Sequence, residues 1–405
     1  MLLRIAVLII ILLVLPDTYI YNMYVKRWTE KLWIRLSWFV PSAALALAAV
    51  VIMASNDMKP EHQASVGVYM IVMLCICAPK MLFTFFDGIG HAIGRALKRD
   101  GDKAGNGDTP LFVRIMRIVG MSFGIFSFFV LCYGYFVGRH QYVVHHQTFY
   151  FSDLPKEFDG YRIAQFSDMH VGTLHDGNEG DAAKVVTLIN EQHCDAILFT
   201  GDIVNHQSAE LDGFKDDFCR LSAKDGVYAV MGNHDYSMYI HYPDEKEHQD
   251  DIAKLQSALR SYGWHLLLND HKVLRRGKDS LVIAGVENDG RPPFPAYGDL
   301  KKTMKGLDSK TCFTILLSHD PTHWRRAIIP DTNIQLTLSG HTHAGQFKIF
   351  GWSPVAYVYD EWSGAYSEGG QILNVSDGIG EVMFPFRFGA WPEVNVITLR
   401  RGTGK

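Results

Sequence analysis

Polar residues able to bind metal ions follow five hydrophobic segments in the last two-thirds of this 405-residue chain. The five segments end in the sequences DMH, GD, GNHD, SHD and GHTH. They supply nine residues with carboxylate, amide or imidazole groups: Asp168, His170, Asp202, Asn233, His234, Asp235, His319, His341 and His343. Such groups together suit divalent ions such as Mn²⁺, Fe²⁺, Co²⁺ or Zn²⁺. Because the set contains no thiolate, it is not a structural cysteine-rich zinc site.

These residues are too many for a single ion. Two ions that share a bridging carboxylate account for the set, and ions in such hydrolytic pairs lie about 3.5–4 Å apart. One GD or one SGHTH could be an ordinary loop, but five motifs at five strand ends indicate a site. The other histidines have no such setting and are expected to be surface or structural residues: His140, His145, His146, His175, His193, His206, His241, His248, His265, His271 and His323.

The segments that carry these residues read as strands of an α/β domain. Short hydrophobic runs such as DAILFTGD and TCFTILLSHD alternate with DAAKVVTLINEQH and DDIAKLQSALRSYG, whose apolar spacing is helical. The ends of parallel strands meet at one edge of a sheet, so polar residues placed there converge on rigid supports. The sequence therefore predicts one site at a sheet edge.

The first third of the chain is dominated by apolar segments. Four of them, at about 2–25, 33–54, 66–86 and 113–137, are each long enough to cross about 30 Å of hydrocarbon. We therefore predict a helical transmembrane region over 1–140, a connector over 141–157 and the α/β domain over 158–405. The first segment resembles a signal peptide, but no small-residue cleavage site follows it, which favours a retained anchor.

Charges in the loops predict an orientation for these segments. Basic residues are concentrated after the first and third segments, whereas the loop after the second offers only Lys59 and the exit from the fourth only Arg139. By the positive-inside rule the α/β domain would lie outside the inner membrane. Lys80 in the third segment is either a functional intramembrane cation or, as we expect, a lysine near a helix end or near a segment boundary that we have placed slightly wrongly.

Composition excludes some other classes of protein. The net charge of −4 and the lack of a basic stripe argue against nucleic-acid binding. The six cysteines form no CxxC pair, so no disulfide framework is predicted.

Taken in order, the five motifs resemble those of the calcineurin-like metallophosphoesterase superfamily. SGHTHAGQ and the closing NVSDGIGEVMFPFRFGAWPEVNV are similar to its bacterial membrane-associated branch, which includes a cell-wall phosphoesterase of Bacillus. The resemblance implies a four-layer α/β/β/α sandwich after the four-helix transmembrane region. It also implies a bacterial inner-membrane protein with two divalent ions, Mn, Fe, Zn or Co.

The resemblance assigns a role to each candidate residue. Asp168, His170 and His343 would bind one ion. Asn233, His319 and His341 would bind the second, and Asp202 would bridge the two. His234 would act on the substrate, and Asp235 would orient the His234 ring. Gly340 would permit the backbone turn that lets His341 and His343 face different ions. Arg387 is a weaker candidate for a phosphate contact.

The implied reaction is hydrolysis of a phosphate ester by a hydroxide held between two ions, with a phosphodiester or a lipid or envelope phosphate as substrate. Two alternatives remain open: a UDP-2,3-diacylglucosamine-type pyrophosphatase, and a non-catalytic receptor or transporter subunit that keeps the metal site. RPPFPAYG and FPFRFGAW are either rigid surface loops, which we favour, or a lipid-facing rim. The sequence does not determine the natural substrate or the oligomeric state.

Overall fold

The computed structural model describes residues 2–55, 60–96, 110–174, 180–307 and 312–403. Most of the predicted polar linker after the third apolar segment lies outside these ranges, as does His175. The chain divides into two compact units, a helical one formed by 1–57 and 65–136, and an α/β one formed by 58–64 and 137–405.

The helical unit consists of six helices within the described residues. They are α1 (Leu2–Ile20), α2 (Lys26–Trp28), α3 (Leu32–Ser37), α4 (Val40–Ser55), α5 (Pro60–Ala96) and α6 (Leu111–Phe136), with a π-helical turn, Tyr21–Val25, after α1. By length and composition, two described segments could cross a membrane, His62–Ala96 and Leu111–His140, while Val40–Ile52 is apolar but shorter. Four membrane crossings therefore stay a prediction.

Lys80 does not lie near a helix end, contrary to our expectation. It occupies the middle of α5, and its Nζ lies 2.7 Å from Oδ1 of Asp17 on α1. The Asp17 side chain is completely buried. About two turns further along α5, the buried Asp87 accepts hydrogen bonds from the hydroxyls of Tyr19 (2.9 Å) and Tyr24 (2.6 Å). Two buried carboxylates thus join α1 to α5, which continues to Ala96, past the predicted end at 86.

The α/β unit contains two six-stranded mixed sheets. The strands are β1 (Val143–Phe151), β2 (Arg162–Phe166), β3 (Ala196–Phe199), β4 (Val227–Ala229), β5 (His265–Leu266), β6 (Asp270–Arg276), β7 (Asp279–Gly285), β8 (Phe313–Leu317), β9 (Leu336–Ser339), β10 (Gly364–Glu368), β11 (Gln371–Val375) and β12 (Glu393–Arg401). The first sheet has the order β1-β12-β2-β3-β4-β5 and the second the order β10-β11-β9-β8-β7-β6. The predicted connector, 141–157, contains β1, which pairs in parallel with β12.

Side chains from the two sheets pack face to face. Ile163 and Leu198 of the first sheet share a buried cluster with Leu281, Ile315 and Leu338 of the second. Alternate residues point the other way, so Ile197 and Phe199 pack against the helices outside the first sheet. Because both faces are buried, these strands read as continuous apolar runs.

Helical segments cover both outer faces of the pair of sheets. The helices of this unit are α7 (Gly180–Asn190), α8 (Lys215–Phe218), α9 (Glu245–Ser261), α10 (Leu300–Thr303) and α11 (Ile329–Asp331). Val185 of α7 and Leu255 of α9 pack on the first sheet, whereas Trp324 and Ile328 pack on the second. Helix α9 begins where the Asp244 carboxylate accepts the Glu247 N–H at 2.8 Å. The predicted α/β/β/α sandwich is confirmed.

We predict that Lys80→Met strongly destabilises the helical unit. The substitution leaves the buried Asp17 carboxylate without its cation, and breaking such a pair costs about 3–5 kcal/mol. The measurement is thermal unfolding of the full chain in detergent.

The double variant Asp17→Leu, Lys80→Met should recover most of the loss, because it removes both charges together. Lys26→Met is the matched control, since Lys26 is exposed in the same unit. Equal thermal stability of the Lys80→Met and Lys26→Met proteins would contradict a role for the pair.

Candidate metal centre

The candidate ligands come together where the carboxyl ends of parallel strands from both sheets meet. Asp168 follows β2, Asp202 follows β3 and Asn233 follows β4, while His319 follows β8 and His341 follows β9. The two sheets are joined at this edge, because the Gln165 side chain of β2 donates to the Ser339 carbonyl of β9 at 2.9 Å. Each ligand is therefore attached to a buried, hydrogen-bonded strand.

Three of the candidate ligands converge on one point. Nε2 of His343 lies 3.2 Å from Nε2 of His170 and 3.3 Å from Oδ1 of Asp168. All three side chains are buried. Two ligand atoms on one tetrahedral ion, each about 2.1 Å from it, are about 3.4 Å apart. The spacing therefore fits a divalent ion.

A second group of ligand atoms lies beside the first. The Asn233 side-chain oxygen is 3.2 Å from Nε2 of His319 and 2.8 Å from Nδ1 of His341. Oδ2 of Asp202 is 3.1 Å from the same His319 nitrogen and 3.8 Å from Nε2 of His170. This one oxygen thus faces a nitrogen of each group, which is the position that a bridging ligand requires.

Backbone carbonyls set which ring nitrogen of each imidazole faces the centre. Nδ1 of His170 lies 3.1 Å from the Val204 carbonyl, and Nδ1 of His319 lies 2.8 Å from the Thr200 carbonyl. A carbonyl oxygen can only accept, so Nδ1 carries the hydrogen and leaves the Nε2 lone pair free for an ion.

Two tyrosines orient the second group. The Asn233 amide donates to the Tyr239 hydroxyl at 2.7 Å, so its oxygen points to the centre. The Tyr359 hydroxyl lies 2.9 Å from Nε2 of His341, which leaves Nδ1 toward Asn233. Neither tyrosine was predicted, because Tyr239 lies just outside the GNHD motif and Tyr359 follows no ligand motif.

The backbone is strained at five of the seven candidate ligands. Positive φ angles occur at Asp168 (53°), His170 (42°), Asp202 (60°), His341 (76°) and His343 (51°). Non-glycine residues in this region cost of order 1–3 kcal/mol each and cluster at functional sites. The surrounding sheets therefore hold these side chains in positions that the isolated chain would avoid.

Gly340 is required for a reason other than the one we expected. It does not have a positive φ; a β-carbon there would lie 2.0 Å from the Ser167 Oγ and 2.1 Å from Oδ2 of Asp168. The role of this glycine is thus close approach of the backbone to a ligand, which also lets the His341 N–H reach the Asp168 carboxylate at 3.1 Å.

Asp235 does not orient His234, contrary to our expectation. Its carboxylate accepts the backbone N–H groups of Gly232 (2.9 Å), Asp202 (2.8 Å) and Ile203 (2.8 Å). The ring of His234 instead contacts the Asn205 carbonyl at 2.6 Å through Nδ1. The turn at GNHD directs the Asp235 side chain inward to the loop after β3, so it braces the Asp202 backbone.

Arg387 lies behind the ligands and not at a phosphate position. It is completely buried and donates to the carbonyls of Gly380 (2.5 Å) and Ala390 (2.9 Å), and its guanidinium lies 3.2 Å from Nδ1 of His343. The expectation of a phosphate contact was therefore wrong.

Opposite charges stabilise each other within this buried group. Burial alone would raise the pKa of Asp202, but His319 and His234 hold the pKa below its usual range. Burial opposes the charge of His319, yet Asp202 raises the pKa of that ring to about 10. Burial lowers the pKa of His341 to about 4. The ionised Asp202 carboxylate and the neutral His341 ring are in the protonation states that metal binding requires, whereas His319 would release its proton to an incoming ion.

The comparisons with known proteins agree with this geometry. Residues 161–345 match the model of the calcineurin-like phosphoesterase family, and residues 3–139 match a family described as "Probable Calcineurin-like phosphoesterase, transmembrane domain". An uncharacterized metallophosphoesterase of Bacillus subtilis, YkuE, is 30% identical over 284 residues, which cover 66% of this chain and 90% of that protein.

Two further relatives are similar at lower identity. A transmembrane protein with metallophosphoesterase domain from Danio rerio is 28% identical over 61% of this chain and 55% of its own length. An uncharacterized metallophosphoesterase of Aquifex aeolicus is 28% identical over 59% of this chain and 85% of its own. The chain belongs to the calcineurin-like metallophosphoesterase family. It is a metal-dependent phosphoester hydrolase with an N-terminal transmembrane domain.

The metal-free protein should lose stability as the pH falls from about 6.5 toward 4. Burial lowers the pKa of His206 and of His341 to about 4, from 6.5 for an exposed histidine. Both rings are neutral in the folded state and take up protons on unfolding in this window, so their contribution is present above pH 6.5 and is lost as the pH falls. His319, whose pKa is raised, contributes fully below pH 6.5 and loses its contribution only toward pH 10.

This is measured by thermal unfolding of chelator-treated protein at pH 7, 6 and 5. His206→Asn should reduce the acid-induced fall in melting temperature, because one neutral buried ring is gone. His146→Asn, at an exposed position, should leave it unchanged. If the melting temperatures of His206→Asn and His146→Asn depended on pH in the same way, burial of His206 would not contribute to the acid-induced loss of stability.

Proposed function

We propose that this chain is a membrane-anchored phosphoesterase that hydrolyses a phosphate ester on two divalent ions. The observation that carries the proposal is the position of the Asp202 Oδ2 atom, 3.1 Å from His319 Nε2 and 3.8 Å from His170 Nε2. A carboxylate oxygen beside two separate ligand groups is the arrangement that two ions would share.

The ligand groups suggest an assignment for each ion. Asp168, His170 and His343 would hold the first, and Asn233, His319 and His341 the second, with Asp202 shared. Nitrogen and oxygen donors without a thiolate favour Mn, Fe, Zn or Co. When bound, such ions lower the pKa of coordinated water and neutralise charge on a phosphoryl group.

His234 is placed to move a proton on the substrate side. It lies in the wall of the pocket that also contains Asp202 and His341, and the Tyr239 ring packs on it with centroids 4.4 Å apart. Because Nδ1 faces the Asn205 carbonyl, the free atom is Nε2. In the protonated, imidazolium form of the ring, the Nε2–H group would donate to a phosphoryl oxygen or give its proton to the leaving alkoxide, which leaves His234 neutral. Asp235 supports it indirectly by fixing the backbone of Asp202.

The membrane domain favours a substrate that resides in or near a bilayer, such as a phosphodiester or a lipid or envelope phosphate. The family resemblance favours a bacterial inner-membrane protein, and the loop charges favour a catalytic domain on the extracytoplasmic side. A nucleotide-linked lipid made on the cytoplasmic side would not reach such a domain.

The experiment is hydrolysis by membranes that contain the full chain, loaded with Mn²⁺. The substrates are bis-p-nitrophenyl phosphate, p-nitrophenyl phosphate and UDP-diacylglucosamine. We expect turnover of a simple ester that chelation abolishes and Mn²⁺ restores. Selective cleavage of the UDP-lipid would contradict both the substrate class and the topology, and no turnover of any ester would favour a non-catalytic role.

Two variants separate metal binding from proton transfer. Asp202→Ala should lose bound metal and activity together, because it removes the shared ligand. His234→Ala should retain metal, measured by elemental analysis, while kcat falls roughly a hundredfold or more. A wild-type rate for His234→Ala would exclude the role given to its Nε2 atom.

A further inference from the structure

Large apolar side chains line the metal pocket above its polar ligands. The pocket, with a volume of about 300 Å³, is lined in part by four apolar residues, Phe294, Val382, Met383 and Phe384, which we call the apolar rim. The Phe294 ring packs edge-on against His341, with centroids 4.7 Å apart. Within the described part of the chain, the lining includes no lysine or arginine.

Met383 combines an unfavourable backbone conformation with an apolar side chain that is exposed to solvent. It is 72% exposed, and its φ is +69°, in the region where glycine is preferred. The turn is fixed by Gln346, whose side chain accepts the Val382 N–H at 2.5 Å and donates to the Phe384 carbonyl at 3.3 Å. A tightly held turn thus presents an apolar side chain where glycine would be more stable.

A second loop presents apolar side chains in the same manner. Phe350 has a φ of +49°, is fully exposed and lies at the tip of a tight hairpin closed by Ile349 and Trp352. Tyr357 and Val358 are also exposed, and the next residue, Tyr359, lines the pocket and contacts His341. The exposed apolar surface therefore borders the ligands.

We propose that the apolar rim binds the hydrocarbon part of an amphiphilic phosphate ester whose phosphate lies on the candidate ligands. This inference rests on the proposed function and specifies the substrate class. The rim is continuous with the pocket, so one molecule can occupy both. A diphosphate-linked nucleotide would need cationic partners for its additional charge, which the described lining does not offer. The chain's own transmembrane domain keeps the enzyme where such amphiphiles occur.

The test compares methyl and octyl p-nitrophenyl phosphate, used below the micellar concentration, with the full chain in lipid nanodiscs. Each methylene removed from water favours binding about fourfold, so kcat/KM should be at least about tenfold higher for the octyl ester. In Met383→Gly this ratio should fall severalfold. The melting temperature should stay equal or rise, because glycine tolerates the positive φ.

Tyr150→Ser is the matched control. Tyr150 is an exposed aromatic on β1, opposite Arg400 and thus toward the end of the first sheet where β2 begins, away from the ligands. It should keep the wild-type ratio. Both variants are assayed in nanodiscs of the same lipid composition. Partition of the octyl ester into lipid is therefore the same for both variants and cannot produce a difference between their octyl-to-methyl ratios.

Each result has one meaning. A ratio that falls in Met383→Gly and not in Tyr150→Ser supports the rim. Equal rates for the two esters, or an octyl-to-methyl ratio retained in Met383→Gly, would show that the apolar rim does not bind the octyl group of the ester. Either result would indicate another occupant of the rim, such as a protein. If the chain hydrolysed neither ester nor bis-p-nitrophenyl phosphate, the proposed function would fail, and the inference with it.

Discussion

The arrangement of the site depends on the Asp202 carboxylate, which must be buried among imidazoles from both sheets. Oδ1 accepts the His234 N–H at 2.8 Å, and Oδ2 faces His319 and His170. A β-carbon on Gly232 would lie 2.2 Å from Oδ1, so the chain there must be glycine. Burial of an unpaired carboxylate would be costly. The ends of β2, β3, β4, β8 and β9 must therefore remain in register around this group.

Backbone strain and packing support each other in this domain. The ligands after β2, β3 and β9 occupy the left-handed region, and Asp235 compensates in part by accepting three backbone N–H groups beside Asp202. The continuous apolar clusters between and outside the sheets supply the stability that permits such strain. Residues far from any substrate thereby determine how well the ligands are positioned.

Much of this architecture could be predicted from the order of the residues. A hydrophobic strand followed by Asp, Asn or His can be recognised from neighbouring residues alone. These strand ends therefore predicted both the sheet edge and the candidate ligands. The roles of Asn205, Tyr239, Tyr359 and Arg387 could not be predicted, because their partners lie distant in the chain or depend on which backbone atom faces a ring. The pairing of Lys80 with Asp17 was missed for the same reason: hydropathy describes one helix at a time.

The division of the ligands between two sheets has a consequence for biosynthesis. Asp168, Asp202 and Asn233 emerge from the ribosome first, while His319, His341 and His343 belong to strands made almost a hundred residues later. Neither half alone contains all seven candidate ligands. The candidate centre is therefore complete only when strands from both sheets have been made and have come together.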